Sequence, residues 1–216
     1  MDRLSQQDVE LIVRTMADVA LENEEYFSKL DGVMGDADFG VSLAGGYKAV
    51  LKNWDSLDRT SIGSFLMKIA TIIIANTGGC SGPIWGTMFM KCAAASKGKT
   101  ELTLEEIIAM LRSAIEGIKA RGGAEIGDKT LLDALDPAVQ ALEKWEDPTD
   151  LPGAFQSAAD AATAAIEGTR EWTARRGRQS FTGDRSIGTL DPGIVAVATM
   201  MQAIVKKLKE SGINNI

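Results

Sequence analysis

The sequence predicts an all-α domain, on three observations. Aromatic residues make up only 6% of the chain while 45% of it is hydrophobic, a balance that suits closely packed helices better than a β-sandwich. Apolar residues recur at three- and four-residue spacing through most of the chain, which is the period of one helical face. No short apolar run is bounded by an Asn-Gly or similar hairpin signal, so no strand is expected.

Eight helices follow in order. The first spans Ser5 to Asn23, with Val9, Ile12, Val13, Met16, Val19 and Ala20 on one face. The second runs from Phe39 to Lys52 and the third, very apolar, from Ser61 to Ala75. The fourth covers Met88 to Ser96. Thr103 and Glu106 form a capping box, with Thr103 as N-cap and Glu106 at N3, opening a fifth helix that carries Ile107, Leu111, Ala114, Ile115 and Ile118. The sixth starts near Lys129 and buries Leu132, Leu135, Val139 and Leu142. Pro152 suits the first turn of the seventh, which holds the Ala-rich stretch Ala158–Ala165. Asp191 as N-cap and Pro192 at N1 open the eighth.

With 216 residues and no linker-like or repetitive segment, the chain reads as one domain over residues 1–216. It has no histidine. That strikes out Ser-His-Asp and Cys-His catalysis from this chain alone, and His-ligated zinc or haem. The formal charge of -7 argues against nucleic acid or a membrane surface as partner. The most apolar stretch, residues 62–75, contains Lys68 and is shorter than a membrane span needs. Two cysteines without a CxxC pattern, and no apolar leader segment, point to a reducing, cytoplasmic compartment.

Four segments could carry chemistry. Asp31, Asp36 and Asp38 fall within eight residues, among Gly32, Gly35 and Gly40. Turns at the glycines would let the carboxylates converge, and converging carboxylates repel unless a hard cation such as Mg²⁺ sits between them. The alternative is a solvated acidic loop that caps the next helix. Residues 76–87 contain Gly78, Gly79 and Gly82 with Thr77, Ser81 and Thr87. They suit either a phosphate cradle or tight helix packing. Gly127-Asp-Lys-Thr130 resembles the end of a P-loop but lacks its first glycine and its strand. The same residues also suit a helix C-cap followed by an N-cap. In the fourth segment Arg170, Arg175, Arg176, Arg178 and Arg185 outnumber Glu171 and Asp184. It reads as an anion-binding loop, or as a surface loop whose arginines pair with acidic neighbours. Together, a carboxylate cluster and three anion-type loops suit a metal–polyphosphate ligand.

These blocks, in this order and over nearly the whole chain, resemble the nucleotide-binding L subunit of the dihydroxyacetone kinase family. The resemblance rests on residues 30–38, 78–83, 127–130, 174–178, 183–188 and 191–193. It implies an eight-helix antiparallel barrel with ADP or ATP bound at one end. By position, Asp31, Asp36 and Asp38 would hold two Mg²⁺ ions. Gly40, Val41 and Ser42 would meet phosphates at a helix start, and Gly79, Cys80 and Ser81 fall on the loop that contacts nucleotide. Gly122 and Leu131 would line the nucleoside pocket, and Arg178 with Asp191, Pro192 and Gly193 would close over it. Phe39 stands where the family usually has a histidine.

The resemblance further implies a partner K-type subunit that holds the ketose through a histidine. The phosphoryl source would be free ATP or a phosphohistidine protein of the phosphotransferase system that recharges bound ADP. Self-association is compatible with either. The function expected is therefore phosphoryl donation to a small hydroxyketone, in glycerol metabolism. The alternatives are a non-catalytic nucleotide-binding or regulatory module of the same fold, and a small-ligand carrier using an apolar interior.

Overall fold

A computed structural model describes residues 2–213. Nine α-helices occur among the described residues: α1 (Gln6–Glu22), α2 (Glu24–Gly32), α3 (Phe39–Lys52), α4 (Ile62–Asn76), α5 (Ser81–Ala95), α6 (Leu104–Gly122), α7 (Leu132–Glu143), α8 (Leu151–Gly168) and α9 (Pro192–Ile213). Short 3-10 segments lie at Trp54–Ser56 and Arg178–Ser186.

Local chemistry sets the helix ends. The expected capping box opens α6: the Glu106 amide donates to Thr103 Oγ1 at 3.3 Å and the Thr103 amide to Glu106 Oε2 at 2.9 Å. Ser5 and Asp8 make a second box at α1. Asp150 accepts from the Gly153 amide at the start of α8, with Pro152 in the first turn. Asp191 accepts from the Ile194 amide at the start of α9.

Four expectations need correction. Helix α2 was not foreseen: it has nine residues, is parted from α1 by Asn23 alone, and buries only Phe27 and Asp31, too little for a periodic signal. Helix α5 starts at Ser81, well before Met88. Its glycines are helical, and a Cβ on Gly86 would lie 2.1 Å from Ile74 Cγ1, so that glycine lets α4 and α5 approach. Helix α7 starts at Leu132, because Lys129 has φ +62° and cannot continue a right-handed turn. Two-residue strands, β1 (Leu4–Ser5) and β2 (Glu101–Leu102), pair antiparallel with Leu4 opposite Leu102. They are too short to show alternation.

Helices α1, α3, α4, α5, α6, α7, α8 and α9 each pack on the next in that order, and α9 returns to α1, closing a ring. Helix α2 lies against α3 and α9. Packing of successive helices through short connections puts alternate connections at the same end. The α2–α3, α4–α5, α6–α7 and α8–α9 connections therefore share one end. The opposite end is tied by the Gln6 amide to Thr100 O and the Ile62 amide to Lys99 O.

The interior is a continuous apolar cluster that includes Tyr47, Phe65, Trp85, Ile118 and Leu132. It encloses a cavity of about 180 Å³ lined by residues such as Val13, Trp85, Phe155 and Met200. None of the candidate site residues lines this cavity. Among the described residues no helix is long and apolar enough to cross a membrane.

Candidate functional site

Asp31 lies in the last turn of α2, and Asp36 and Asp38 follow on the connection to α3. The chain turns back at once: the Gly35 amide donates to Asp31 O at 2.6 Å. A Cβ on Gly35 would lie 2.2 Å from Asp31 Oδ1, so only glycine lets the backbone fold over that carboxylate. Ala37 adopts φ +61°, a strained choice for a residue with a side chain. The turn brings one carboxylate oxygen from each of Asp31, Asp36 and Asp38 within 4.8 Å of the others.

Asp31 is 8% exposed, and its Oδ2 accepts the amides of Asp38 at 3.0 Å and Phe39 at 3.3 Å. It thus supplies an acceptor for the first free amide of α3 as well as a candidate ligand oxygen. Burial, then the charges of Asp36 and Asp31, push the Asp38 carboxyl above the usual range, while the Arg178 charge opposes the rise. Three anionic groups held together this way fit a hard divalent cation, which would reverse the repulsion.

The second segment reaches the first through Gly78, where a Cβ would lie 2.8 Å from Ser42 Oγ. Gly79 takes φ +59° with nothing near its missing side chain. Cys80 is exposed and Ser81 begins α5. Thr77 is buried, and its Oγ1 has no protein partner. In the first turn of α3, Gly40 faces α2: a Cβ there would lie 2.0 Å from Glu24 O. Val41 is 57% exposed. The Phe39 ring packs on Phe27, centroids 6.2 Å apart.

Gly122 meets Ile84 of α5, and Gly193 meets Leu131, where added Cβ atoms would lie 3.0 Å and 3.3 Å away. Leu131 therefore adjoins the Asp191-Pro192-Gly193 turn. Burial pushes the Asp191 carboxyl up to about 7, against the amides of Ile194 and Gly193, which lower it.

In the arginine segment the two readings divide by residue. Arg170 pairs with Glu167 and donates to Gly188 O, and Arg176 pairs with Asp128 at 3.3 Å, so these two serve the fold. Arg178 instead reaches Asp36 at 2.9 Å, which joins the acidic turn to the loop between α8 and α9.

Gly127-Asp-Lys-Thr130 is scaffold. Asp133 accepts the amides of Gly127 and Thr130 at 2.6 and 2.8 Å, and Lys129 is 1% exposed with its ammonium on backbone carbonyls. Asp133 and the structural use of Lys129 escaped sequence reasoning. A buried lysine in a Gly-Asp-Lys-Thr string looks the same as a phosphate ligand until the fold is known.

A family model described as the DAK2 domain matches residues 33–206. The ADP-binding subunit DhaL of the PEP-dependent dihydroxyacetone kinase of Escherichia coli is 37% identical over 89% of this chain and 92% of its own length. A Listeria innocua subunit with the corresponding name is 35% identical over 93% and 94%. The L-erythrulose 1-kinase of Mycolicibacterium smegmatis is 32% identical over 94% of this chain but 36% of its own length. The crystal structure of the dihydroxyacetone kinase of C. freundii in its native form superposes with a TM-score of 0.72 at 25% identity, covering 92% of this chain and 34% of that one. A complex of that kinase with AMP-PNP and Mg2+ gives 0.69 at 25% identity, over 94% and 33%.

Proposed function

The chain belongs to the DAK2 domain family, and from that membership we propose that it is the nucleotide-binding, phosphoryl-donating subunit of a dihydroxyacetone-type kinase. One observation carries the reading: three carboxylates converge within 4.8 Å at the ring end that also bears the Gly78–Gly79 loop and Arg178.

Asp31, Asp36 and Asp38 would hold Mg²⁺, two ions in the full form of the proposal. The metal would neutralise charge on the β- and γ-phosphates. The amides of Gly40 and Val41 at the start of α3, the hydroxyl of Ser42, whose own amide donates to Asp38 O, and the loop of Gly79, Cys80 and Ser81 would take phosphate oxygens. Gly40 contributes through its backbone, since its Cα faces α2. Gly122 and Leu131 would flank the nucleoside, with Asp191, Pro192 and Gly193 beside Leu131. Arg178 would close the site from the opposite loop and exchange part of its pairing with Asp36 for phosphate.

In-line phosphoryl transfer asks for positioning and electrostatics more than for an acid–base residue. A chain without histidine meets that demand. The acceptor ketose would be held by a separate subunit. The relatives named as PEP-dependent are 37% and 35% identical, which supports ADP that stays bound and is recharged by a phosphohistidine protein. Phe39 packs on Phe27 and its amide is held by Asp31 Oδ2, so it would adjoin the phosphates without donating to them.

The test is mass spectrometry of gently purified protein, followed by reconstitution with a ketose-binding subunit and a phosphohistidine donor. The expected result is co-purified ADP with magnesium and transfer to dihydroxyacetone. Turnover with free ATP and no phosphoprotein would overturn the donor assignment. Failure of Mg-ADP to raise the melting temperature would overturn the nucleotide site.

A further inference from the structure

The loop between α8 and α9 carries Arg178 but has little apolar anchorage. From Trp172 to Ile187 its large apolar side chains are exposed: Trp172 by 39%, Phe181 by 87% and Ile187 by 41%, and of its apolar residues the small Ala174 alone is buried. What holds the loop is polar. Lys129 Nζ donates to Arg170 O at 3.0 Å, Trp172 O at 2.9 Å and Ser186 O at 2.8 Å. An ammonium has three hydrogens, and all three are spent on the two ends of one loop. The Ser186 hydroxyl adds a rung, accepting the Ala174 amide and donating to Gly183 O. Below it, Asp133 fixes the turn that presents Lys129 by accepting the Gly127 and Thr130 amides.

We propose that Lys129 is a positioning residue: its buried ammonium clamps the loop from Arg170 to Ser186 and so holds Arg178 over the carboxylate cluster. Lys129 touches neither Asp31, Asp36 nor Asp38, so it acts through the loop. Removing the ammonium would leave Trp172 O without its partner, while Arg170 O would keep only the Gly188 amide and Ser186 O only the Thr189 amide and hydroxyl. The loop would then open and Arg178 would lose its fixed place beside Asp36. The consequence for ligand retention rests on the nucleotide reading above; the consequence for loop order does not.

Two readouts separate a clamp from general support of the fold. In Lys129→Met, amide hydrogen exchange of residues 174–187 should rise about tenfold or more while amides of α4 and α5 keep their protection. Release of Mg-ADP should also quicken about tenfold in Lys129→Met, yet less than about twofold when Lys129→Met is added to Arg178→Ala, as for residues acting in one unit. Unchanged loop exchange, exchange raised equally in α4 and α5, or fully additive effects on release would each overturn the proposal.

Should Lys129→Met not fold, acetylation of lysine amines in the unmodified protein gives the same decision. Lys129 should react about a hundredfold slower than exposed Lys52 because its amine is reached only when the loop opens, and Mg-ADP should slow it further. Equal rates for the two lysines would overturn the clamp. A protein that binds no Mg-ADP would refute the nucleotide reading, and loop exchange would still decide the role of Lys129.

Discussion

Asp31 serves two purposes that one pair of substitutions separates. Its Oδ2 accepts the Asp38 and Phe39 amides, and its carboxylate is one of three with oxygens within 4.8 Å. Asn keeps the acceptor and drops the charge; Ala drops both. At 4.8 Å each pair of charges repels by roughly 1 kcal/mol in water and roughly 3–4 kcal/mol at an effective dielectric of 20. Asp36 and Asp38 are exposed, so the lower figure applies best. Asp31→Asn relieves two such repulsions and loses the charge assistance of two hydrogen bonds, about 1 kcal/mol each. The terms nearly cancel, and the metal-free variant should melt within a few degrees of the parent. Asp31→Ala relieves the same repulsions but leaves both amides without an acceptor, at roughly 2–3 kcal/mol each, so it should cost roughly 2–4 kcal/mol net. Ligand response is the opposite test. At a hundredfold excess over Kd, Mg-ADP adds about 2.7 kcal/mol, which for a chain of this size is about 5–11 °C. The assay is thermal unfolding with and without Mg-ADP. Both variants should lose the ligand-induced rise, and only Asp31→Ala should lose basal stability. A full rise in Asp31→Asn would refute the metal-ligand role; a normal basal melting temperature in Asp31→Ala would refute the structural one.

Three other outcomes are expected. Asp191 has a folded pKa of about 7, above its unfolded value of roughly 4. Its contribution is therefore complete below about pH 4 and is lost as pH rises towards 7. The side chain is only part-buried, so the loss should be on the order of 1–2 kcal/mol; Asp191→Asn, which keeps an acceptor for the Ile194 amide, should flatten urea stability between pH 5 and 8, and an unaltered slope would count against it. Cys80 is exposed, whereas burial pushes the Cys92 thiol up to about 12. A thiol reagent at pH 7.5 should modify Cys80 alone in the folded protein, and Mg-ADP should protect it; rapid modification of Cys92 in the folded state would contradict the packing. Gly40→Ala would place a Cβ 2.0 Å from Glu24 O and should cost about 1–3 kcal/mol by forcing α2 from α3, read as a lower urea midpoint; an unchanged midpoint would show that the contact is soft.

Helix α6 and helix α9 were legible because their signals are local: a capping box in one, an Asp-Pro start in the other, and apolar residues at helical spacing in both. Helix α2 and the early start of α5 were not. In α2 Phe27 is the only fully buried apolar residue, and in α5 Gly86, which read as loop, is there to fit Ile74 of a different helix. The acidic turn was visible as a pattern, but its convergence depends on Gly35 folding over Asp31 and on Ala37 entering a left-handed conformation. The arginine loop shows the limit most clearly. Five arginines in a row of polar residues look equivalent, yet Arg170 and Arg176 pair within the scaffold while Arg178 crosses to Asp36.

By itself the sequence determined the class of fold, the absence of histidine from this chain and the residue types of the three-carboxylate cluster. These follow from composition and from spacing along one chain, where neighbours in sequence are neighbours in space. The tertiary structure alone decided that four connections meet at one end of a closed ring, that Asp31 both caps α3 and faces Asp36 and Asp38, and that Lys129 belongs to the loop and not to a phosphate. The first depends on helices from opposite ends of the chain and the other two on groups 5 to 57 positions apart, and what a charge does there is set by the partners that burial leaves within reach.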